Sequence, residues 1–425
     1  MTDRKGKIML KRAEDVQNFW AYDFNIKKDS DLTLLDNAQF IYELSLAELE
    51  LGALGAEFEV TNGLREFKIR NRTKELDKQI LHRAAYFKTV GELYTDYFQL
   101  IQKNRTRSVN QYLTHWIYPY KGKFHPQMIR ALMNIIGLKK GDTVFEPFSG
   151  SGTAALEAQL MGINCIGIDI SPLCILLGNV KTQSYRYIEE IEKLKDLVIE
   201  NLSPSIFNGG KTKDIFESMQ NDVVKDFYIV AKLLTISDNA RRGRKFEQAF
   251  VKNLNRMIDS TRDFKEIVEE IPLDLGKIEM KLGDSRKVEL PDNSIDGIIT
   301  SPPYSIALDY VENDAHSLEE LGSDLTKIRE EFIGVRGNGQ NRVTLYNNDM
   351  RASYAEMYRV LKPGRFAVIV VGNATYQGKE VKTVEFTINF MDDMGFELVK
   401  NVHKLIFGLY NIMKSENILI FKKSN

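Results

Sequence analysis

The stretch from Val144 to Ile170 constrains the fold more than any other. Val144–Phe145 end a short apolar strand, and Glu146-Pro147-Phe148-Ser149-Gly150-Ser151-Gly152-Thr153 turns out of it. Thr153–Met161 reads as a helix and Cys165–Ile168 as a second strand. Strand, glycine turn, helix and strand make a βαβ unit, which implies a parallel sheet carrying helices on its faces. Further downstream, Ile295–Thr300 and the β-branched run Phe366–Val371 supply two more strands. Tyr354–Leu361 ends a helix that Lys362-Pro363-Gly364 stops, and Val402–Phe407 with Ile418–Lys422 suggest an antiparallel pair. Residues 185–278 interrupt this pattern with long charged helices, around Ile188–Leu202 and Phe246–Ile271, before it resumes at Lys281. Residues 111–425 therefore form an α/β domain with a helical insertion.

Residues 1–110 have another texture and suggest a small α+β domain. Gln39–Leu46 reads as a short strand leading into a helix around Leu46–Leu54. Val60–Ile69 reads as a strand or a hairpin arm around Asn62-Gly63, and Lys74–Leu100 mainly as helix. In 425 residues with 43% hydrophobic and 28% charged content, wholesale disorder is excluded. No apolar run approaches the roughly 18 residues of a membrane span, and the N-terminus lacks a signal-peptide core. With only Cys165 and Cys174, a disulfide scaffold is excluded, and two cysteines with five scattered histidines give no metal cluster. A cytoplasmic protein is expected. The balance of 58 basic against 59 acidic residues excludes a broadly basic coat.

The glycine turn carries chemistry. Gly150 and Gly152 allow close backbone approach to a ligand, and the following helix start offers free N–H groups. A phosphate loop would need Gly-Lys-Ser/Thr, and a dinucleotide fingerprint a third glycine where Ala155 stands. Glu146 at the strand end would repel pyrophosphate but suits the ammonium of a methionine-like ligand. The next strand ends at Gly167-Ile168-Asp169-Ile170, where a carboxylate can accept two ribose hydroxyls. Together these fit S-adenosylmethionine.

A second motif is Gly283-Asp284-Ser285 followed by Asp296–Thr300 and Ser301-Pro302-Pro303-Tyr304. It follows a buried strand, where open α/β sheets bind ligands. An exocyclic amine on a nucleobase is a poor nucleophile, because its lone pair is conjugated into the ring. A rigid acceptor for its N–H protons helps localise that pair. Prolines fix φ and remove donors, so Pro302 can present its carbonyl, with Ser301 as a second acceptor. Tyr304 offers a stacking face for a base taken out of its helix.

Together these residues resemble the amino-methyltransferases of nucleic acids that modify cytosine-N4 or adenine-N6. The resemblance covers roughly 118–181 and 280–425. It implies a seven-stranded, Rossmann-like sheet with a reversed last strand and S-adenosylmethionine as cofactor. It also implies that the segment Tyr120–Pro126, with Lys123, Phe124 and His125, contacts the methionine end. Asp284 and Ser285 would lie against the adenine, and Ser301, Pro302, Pro303 and Tyr304 would form the catalytic loop. Thr-Ser-Pro-Pro-Tyr is more usual for cytosine-N4 enzymes, which favours cytosine-N4 in DNA. Residues 39–96 look faintly like the front of archaeal tRNA guanine-N2 methyltransferases. Structured RNA, through cytosine-N4 or guanine-N2, therefore stays open as a substrate, as does adenine-N6 in DNA. Oligomeric state is not legible.

Nucleic acid is the expected partner. Arg241-Arg242-Gly243-Arg244-Lys245, with Lys252, Arg256, Arg262 and Lys265, forms a basic stretch in the insertion. It reads equally as a phosphate-binding surface and as a solvated helix face. Gly334–Arg342 is a glycine-rich polar loop that reads either as a cover for the target base or as a connector. His125 reads as a packing residue. Both cysteines read as structural, and neither follows a proline as a carbon-5 mechanism requires.

Overall fold

The computed structural model describes residues 32–425, except 105, 107, 203–211, 244, 272, 304–308, 338, 377–378 and 406–414. Five short strands open the chain: β1 (Leu32–Leu34), β2 (Phe58–Thr61), β3 (Glu66–Ile69), β4 (Phe87–Val90) and β5 (Leu93–Tyr94). They form an antiparallel sheet in the order β2-β3-β1-β4-β5. The hairpin expected around Asn62-Gly63 is β2–β3, with Gly63 at φ 61° in its turn.

One expectation fails here and another is interrupted. Gln39–Leu46 is not a strand, because a helix already runs over Ile41–Ala53. Glu43 reaches back to accept from the Gln39 and Phe40 N–H groups at 2.8 and 3.0 Å, so a side chain closes the helix start. Lys74–Leu100 is mainly helix, as expected, but the helix is broken in the middle by two short strands. The helix Lys74–Arg83 stops where Glu50 takes the N–H groups of Ala85 and Tyr86, at 2.8 and 3.3 Å. The chain then forms β4, turns at Gly91 (φ 61°) into β5, and returns to helix only at Asp96–Gln102.

The larger sheet contains β6 (Thr143–Glu146), β7 (Asn164–Asp169), β8 (Ile278–Leu282), β9 (Ile295–Thr300) and β10 (Leu361–Val371). A short pair, β11 (Ala374–Tyr376) and β12 (Lys379–Val381), stands apart. The edge strand β13 (Phe396–Leu405) and the last strand β14 (Ser415–Lys423) complete the larger sheet. Its order is β13-β14-β10-β9-β6-β7-β8. The strands β10, β9, β6, β7 and β8 are mutually parallel, and β14 runs against both its neighbours. This is the seven-stranded α/β sheet with a reversed last strand. The chain leaves β6 toward β7 and β8, then returns to the other side of β6 with β9. The β6–β9 junction is thus a topological switch point, where a crevice opens at the carboxyl ends of the strands.

Helices Ile188–Leu202, Asp222–Arg242 and Phe246–Glu270 fall within 185–278. They bury Phe227, Tyr228, Phe250 and Leu254 with Leu173, Leu177 and Val180 of the helix Pro172–Gln183. No helix among the described residues is long and apolar enough to cross a membrane.

The two sheets share one apolar cluster. Leu32, Leu46, Phe67 and Phe87 pack in it with Met128 and Leu132, and with Val144, Val368 and Ile418 of the larger sheet. A polar network lies in the same junction. Fully buried Glu50 also accepts from Asn134 Nδ2 at 2.7 Å, and the Arg83 Nε donates to Asn134 Oδ1 at 2.9 Å. Burial pushes the Glu50 carboxyl up to about 7, against the opposing effect of its three donors. The folded chain therefore holds this proton over a range where the unfolded chain has lost it. Stability from this group is full below the ordinary glutamate range and falls as pH rises toward 7, by about 3 kcal/mol in all. Urea unfolding of the wild type and of Glu50→Gln at several pH values should show this slope in the wild type and lose it in the variant. Equal slopes would refute the assignment.

Candidate functional site: a trough at the switch point

A trough of about 760 Å³, open to solvent, lies at the carboxyl ends of β6, β7 and β9. It brings together Lys123, Phe124, Glu146, Pro147, Phe148, Ser149, Gly150, Thr153, Asp169, Ile170, Asp284, Ser285, Ser301 and Pro303, all singled out in the sequence. His125, Gly152 and Pro302 are not on its wall. Tyr304 lies outside the described residues. Tyr120, Gly122, Ser151, Gly283, Tyr310, Glu331, Phe332 and Ile333 also line it.

The glycine turn is held from three sides. The Gly150 N–H donates to Asp169 Oδ2 at 2.9 Å, and Asp169 Oδ1 accepts from the Ser171 N–H at 2.9 Å. Asp169 thereby fixes the turn and keeps lone pairs for a ligand. Lys181, fully buried, donates from Nζ to the Ser151 carbonyl at 2.8 Å. Gly152, at φ 75°, meets Gly178 of the next helix, where an added Cβ would come within 2.8 Å of the Gly178 Cα. Gly152 therefore lets the two helices pack closely. Gly150 (φ 48°) abuts the Tyr120 ring, which a Cβ would approach to 3.1 Å.

Several buried polar atoms around this turn have no partner among the described residues: Glu146 Oε2, Ser149 Oγ, Ser151 Oγ and Thr153 Oγ1. Buried polar groups are nearly always satisfied, so their clustering in one wall marks a place for a polar ligand. Burial, and secondarily the charge of Asp169, raises the Glu146 carboxyl well above the usual range. An ammonium group placed there would reverse that shift. On the same wall, burial pulls the Lys123 ammonium down to about 7. Lys123 Nζ donates to the His115 carbonyl. Beneath it lies Glu157, which accepts from Tyr112 and His115. His125 instead caps the helix Pro126–Ile135, and its Nδ1 lies 3.4 Å from Asn110 Nδ2.

At the opposite end, Arg286 forks onto Asp284 at 2.7–3.0 Å and reaches Asp349 at 3.1 Å. Arg336 Nε donates to the same Asp349 at 3.0 Å, and Arg342 donates to the Gly334 carbonyl at 2.6–2.9 Å. Arg336 and Arg342 thus tie the residues around Gly334 to Asp349 and to the helix Gly339–Val360. Tyr310 stacks between Tyr120 and Phe332, with ring centroids 6.2 and 5.8 Å apart, and these rings close the trough's outer side. Helical periodicity alone could not have flagged Tyr310 or Phe332, because their role depends on how distant segments meet. Cys165 and Cys174 are both buried thiols, and Cys174 Sγ lies 3.6 Å from the Tyr120 hydroxyl.

A seven-stranded sheet with a reversed last strand, and a trough at its switch point lined by strand-end carboxylates and a glycine turn, define an S-adenosylmethionine-dependent methyltransferase fold. The orphaned Glu146 and the two-armed Asp169 fit that cofactor's ammonium and ribose. Comparison with known proteins agrees. The family described as "RMKL-like, methyltransferase domain" matches residues 117–360, more than half of the chain, and the chain belongs to it. The family described as "DNA methylase" (the N6/N4 group) matches residues 11–176.

Among curated relatives, the chain is 27% identical over 316 residues to the type II methyltransferase M.BsoBI of Geobacillus stearothermophilus, covering 60% of each chain. It is 39% identical over 123 residues to the type II methyltransferase M.MjaII of Methanocaldococcus jannaschii, covering 29% of this chain and 20% of that one. It is 31% identical over 119 residues to the tRNA (guanine(10)-N2)-dimethyltransferase of the same organism, covering 28% and 31%. The chain thus spans less than two thirds of the length of each of these relatives.

If Glu146 receives the ammonium, cofactor binding should draw its raised carboxyl toward the ionised form and so release protons. Calorimetry in buffers of different ionisation enthalpy should find fewer protons released on S-adenosylmethionine binding by Glu146→Gln than by wild type. The affinity of the variant should fall on the order of 10–100-fold, the worth of one charge-assisted hydrogen bond. Equal proton counts and equal affinities would refute this role.

Proposed function

We propose that this chain methylates the exocyclic amino group of a nucleobase in DNA, cytosine-N4 before adenine-N6. The carrying observation is that Ser301 and Pro303, just past the end of β9, share one trough with Glu146 and Asp169. An acceptor loop for an amine thus faces a methyl-donor site across the switch point. The match to the DNA methylase family and to two type II methyltransferases supports DNA as the polymer. Thr300-Ser301-Pro302-Pro303-Tyr304 supports cytosine-N4.

When bound, S-adenosylmethionine supplies a methyl group activated by its sulfonium. The chain's own work is positioning. Glu146 and Asp169 hold the ammonium and the ribose, with Ser149, Ser151 and Thr153 offering further polar partners. Lys123 and Phe124 border the methionine end, and Asp284 and Ser285 border the adenine. Ser301 and the Pro302 carbonyl accept the N–H protons of the base amine and so direct its lone pair at the methyl carbon. Pro303 stiffens the loop. Tyr304 stacks on the base. After transfer the extra proton leaves the amine for solvent, so no dedicated base is needed. Proximity and orientation of this kind supply several kcal/mol of barrier lowering.

A second reading has its own support. The likeness to a tRNA (guanine(10)-N2)-dimethyltransferase points to the amine of guanine in RNA, chemically the same kind of acceptor. Purified protein with labelled S-adenosylmethionine should be offered duplex DNA and total RNA side by side, and the nucleosides resolved by mass spectrometry. The expected product is N4-methyldeoxycytidine. Label in N2-methylguanosine alone would replace the DNA reading with the RNA one. Pro302→Ala, which loosens the acceptor, should cost on the order of 100-fold in rate with cofactor affinity intact. An unimpaired Pro302→Ala would remove the acceptor role.

A further inference from the structure

The insertion's basic turn sits on the rim of the trough. The helix Asp222–Arg242 ends at Gly243 (φ 63°), and Arg241 fastens that end to two rim segments. Its guanidinium donates to the Pro119 carbonyl at 2.9 Å and to the Asn313 carbonyl at 3.2 Å, and it lies 3.3 Å from Asp314. Pro119 precedes Tyr120, and Asn313 follows Tyr310 by one helical turn. Those two tyrosines line the trough and stack on each other.

We propose that Arg242 and Lys245, with Lys121 on the adjoining rim segment, anchor the phosphodiester backbone of the nucleic acid whose base enters the trough. The proposal rests on the nucleic-acid reading above. All three side chains belong to exposed residues. Lys121 Nζ is held by the neutral amide oxygen of Asn313. Arg242 pairs with Asp238 at 3.0 Å, yet its side chain remains 57% exposed while that of Asp238 is 8% exposed. Asp314 beneath Arg241 is likewise buried, so the carboxylates lie inside and the cations face out.

Three other cations of the insertion behave differently. Arg262 is engaged by Glu192 and Asp259, Lys265 by Glu189, and Arg256 lies over the Trp116 ring at 4.0 Å. Much of the basic stretch is thus consumed in holding the helices together. The outward-facing cations at Arg242 and Lys245 lie at the end joined to the trough. A base drawn into the trough has its flanking phosphates within a nucleotide of the rim, where outward-facing cations recover the counterion-release energy of backbone contact.

The test measures binding of labelled duplex DNA and of labelled RNA by the full chain at several salt concentrations, beside methyl transfer to each. Arg242→Glu combined with Lys245→Glu should weaken binding of the methylated polymer at least 10-fold at low salt and raise its KM. The slope of log Kd against log salt should flatten by about 1 to 2, as expected for one or two lost phosphate contacts. S-adenosylmethionine affinity, read by calorimetry, should stay unchanged and so report an intact fold. The neutral pair Arg242→Gln with Lys245→Gln provides the same slope measurement should charge reversal harm folding. Lys193→Glu with Lys195→Glu, on the helix Ile188–Leu202, should leave affinity and slope as in wild type. Unchanged affinity and slope in the Arg242/Lys245 variants of an enzyme that methylates nucleic acid overturns the rim anchor alone. A wild type that neither binds nor methylates either polymer overturns the anchor together with the reading it rests on.

Discussion

The trough depends on one close backbone contact, Gly152 against Gly178. A side chain at Gly152 would push the helix Pro172–Gln183 away from the start of the helix Thr153–Leu160, and one at Gly178 would run into the Met280 side chain of β8. Because the two backbones touch, Lys181 of the second helix reaches the Ser151 carbonyl, and Asp169 stays within 2.9 Å of the Gly150 N–H. Turn, helix start and strand end are thereby fixed to one another before any ligand arrives. A preorganised wall of this kind spares a bound molecule the entropic cost of ordering it. The unpartnered oxygens of Glu146, Ser149, Ser151 and Thr153 are the counterpart of that rigidity, since the chain has no freedom to turn them toward itself.

Much of this architecture was legible in the sequence because its signals are local. The βαβ unit, the strand Ile295–Thr300, the C-terminal antiparallel pair and most trough residues follow from short apolar runs and the turns that end them. What was illegible depended on distant partners. Gln39–Leu46 carries the aromatic and β-branched residues of a strand, yet Glu43 caps it into a helix. Within Lys74–Leu100 the helical spacing continues past Arg83, but a buried carboxylate from another helix takes the next two N–H groups. Tyr310 and Phe332 gave no signal, because their stack assembles from segments that periodicity cannot relate. The contact of Gly152 with Gly178 was illegible for a related reason, since it joins two separate helices.

The balance of charge is also a matter of placement. A near-neutral total hides two different uses of arginine and lysine. Some are internal fasteners, as in the Asp284–Arg286–Asp349–Arg336 chain that ties the segment after Phe332 to the turn at Asp284. The Arg262 and Lys265 pairs join helices of the insertion in the same way. Others stand outward over buried carboxylates at the trough's edge. Composition sums the two; only the fold separates them.

The switch point has a further consequence, for the order in which the trough can be assembled. Its glycine-turn wall, with Glu146 and Asp169, comes from one contiguous stretch, Thr143 to Gln183, whose contacts are close in sequence and inexpensive in loop-closure entropy. Its acceptor wall arrives with β9, whose pairing partner β6 lies some 150 residues earlier. During synthesis the first wall emerges while the second is still unmade. The bare edge of β6 must then wait for the whole insertion to pass before β9 covers it. An insertion that packs promptly into helices keeps its own apolar residues away from that edge, and shortens in space the gap that it lengthens in sequence.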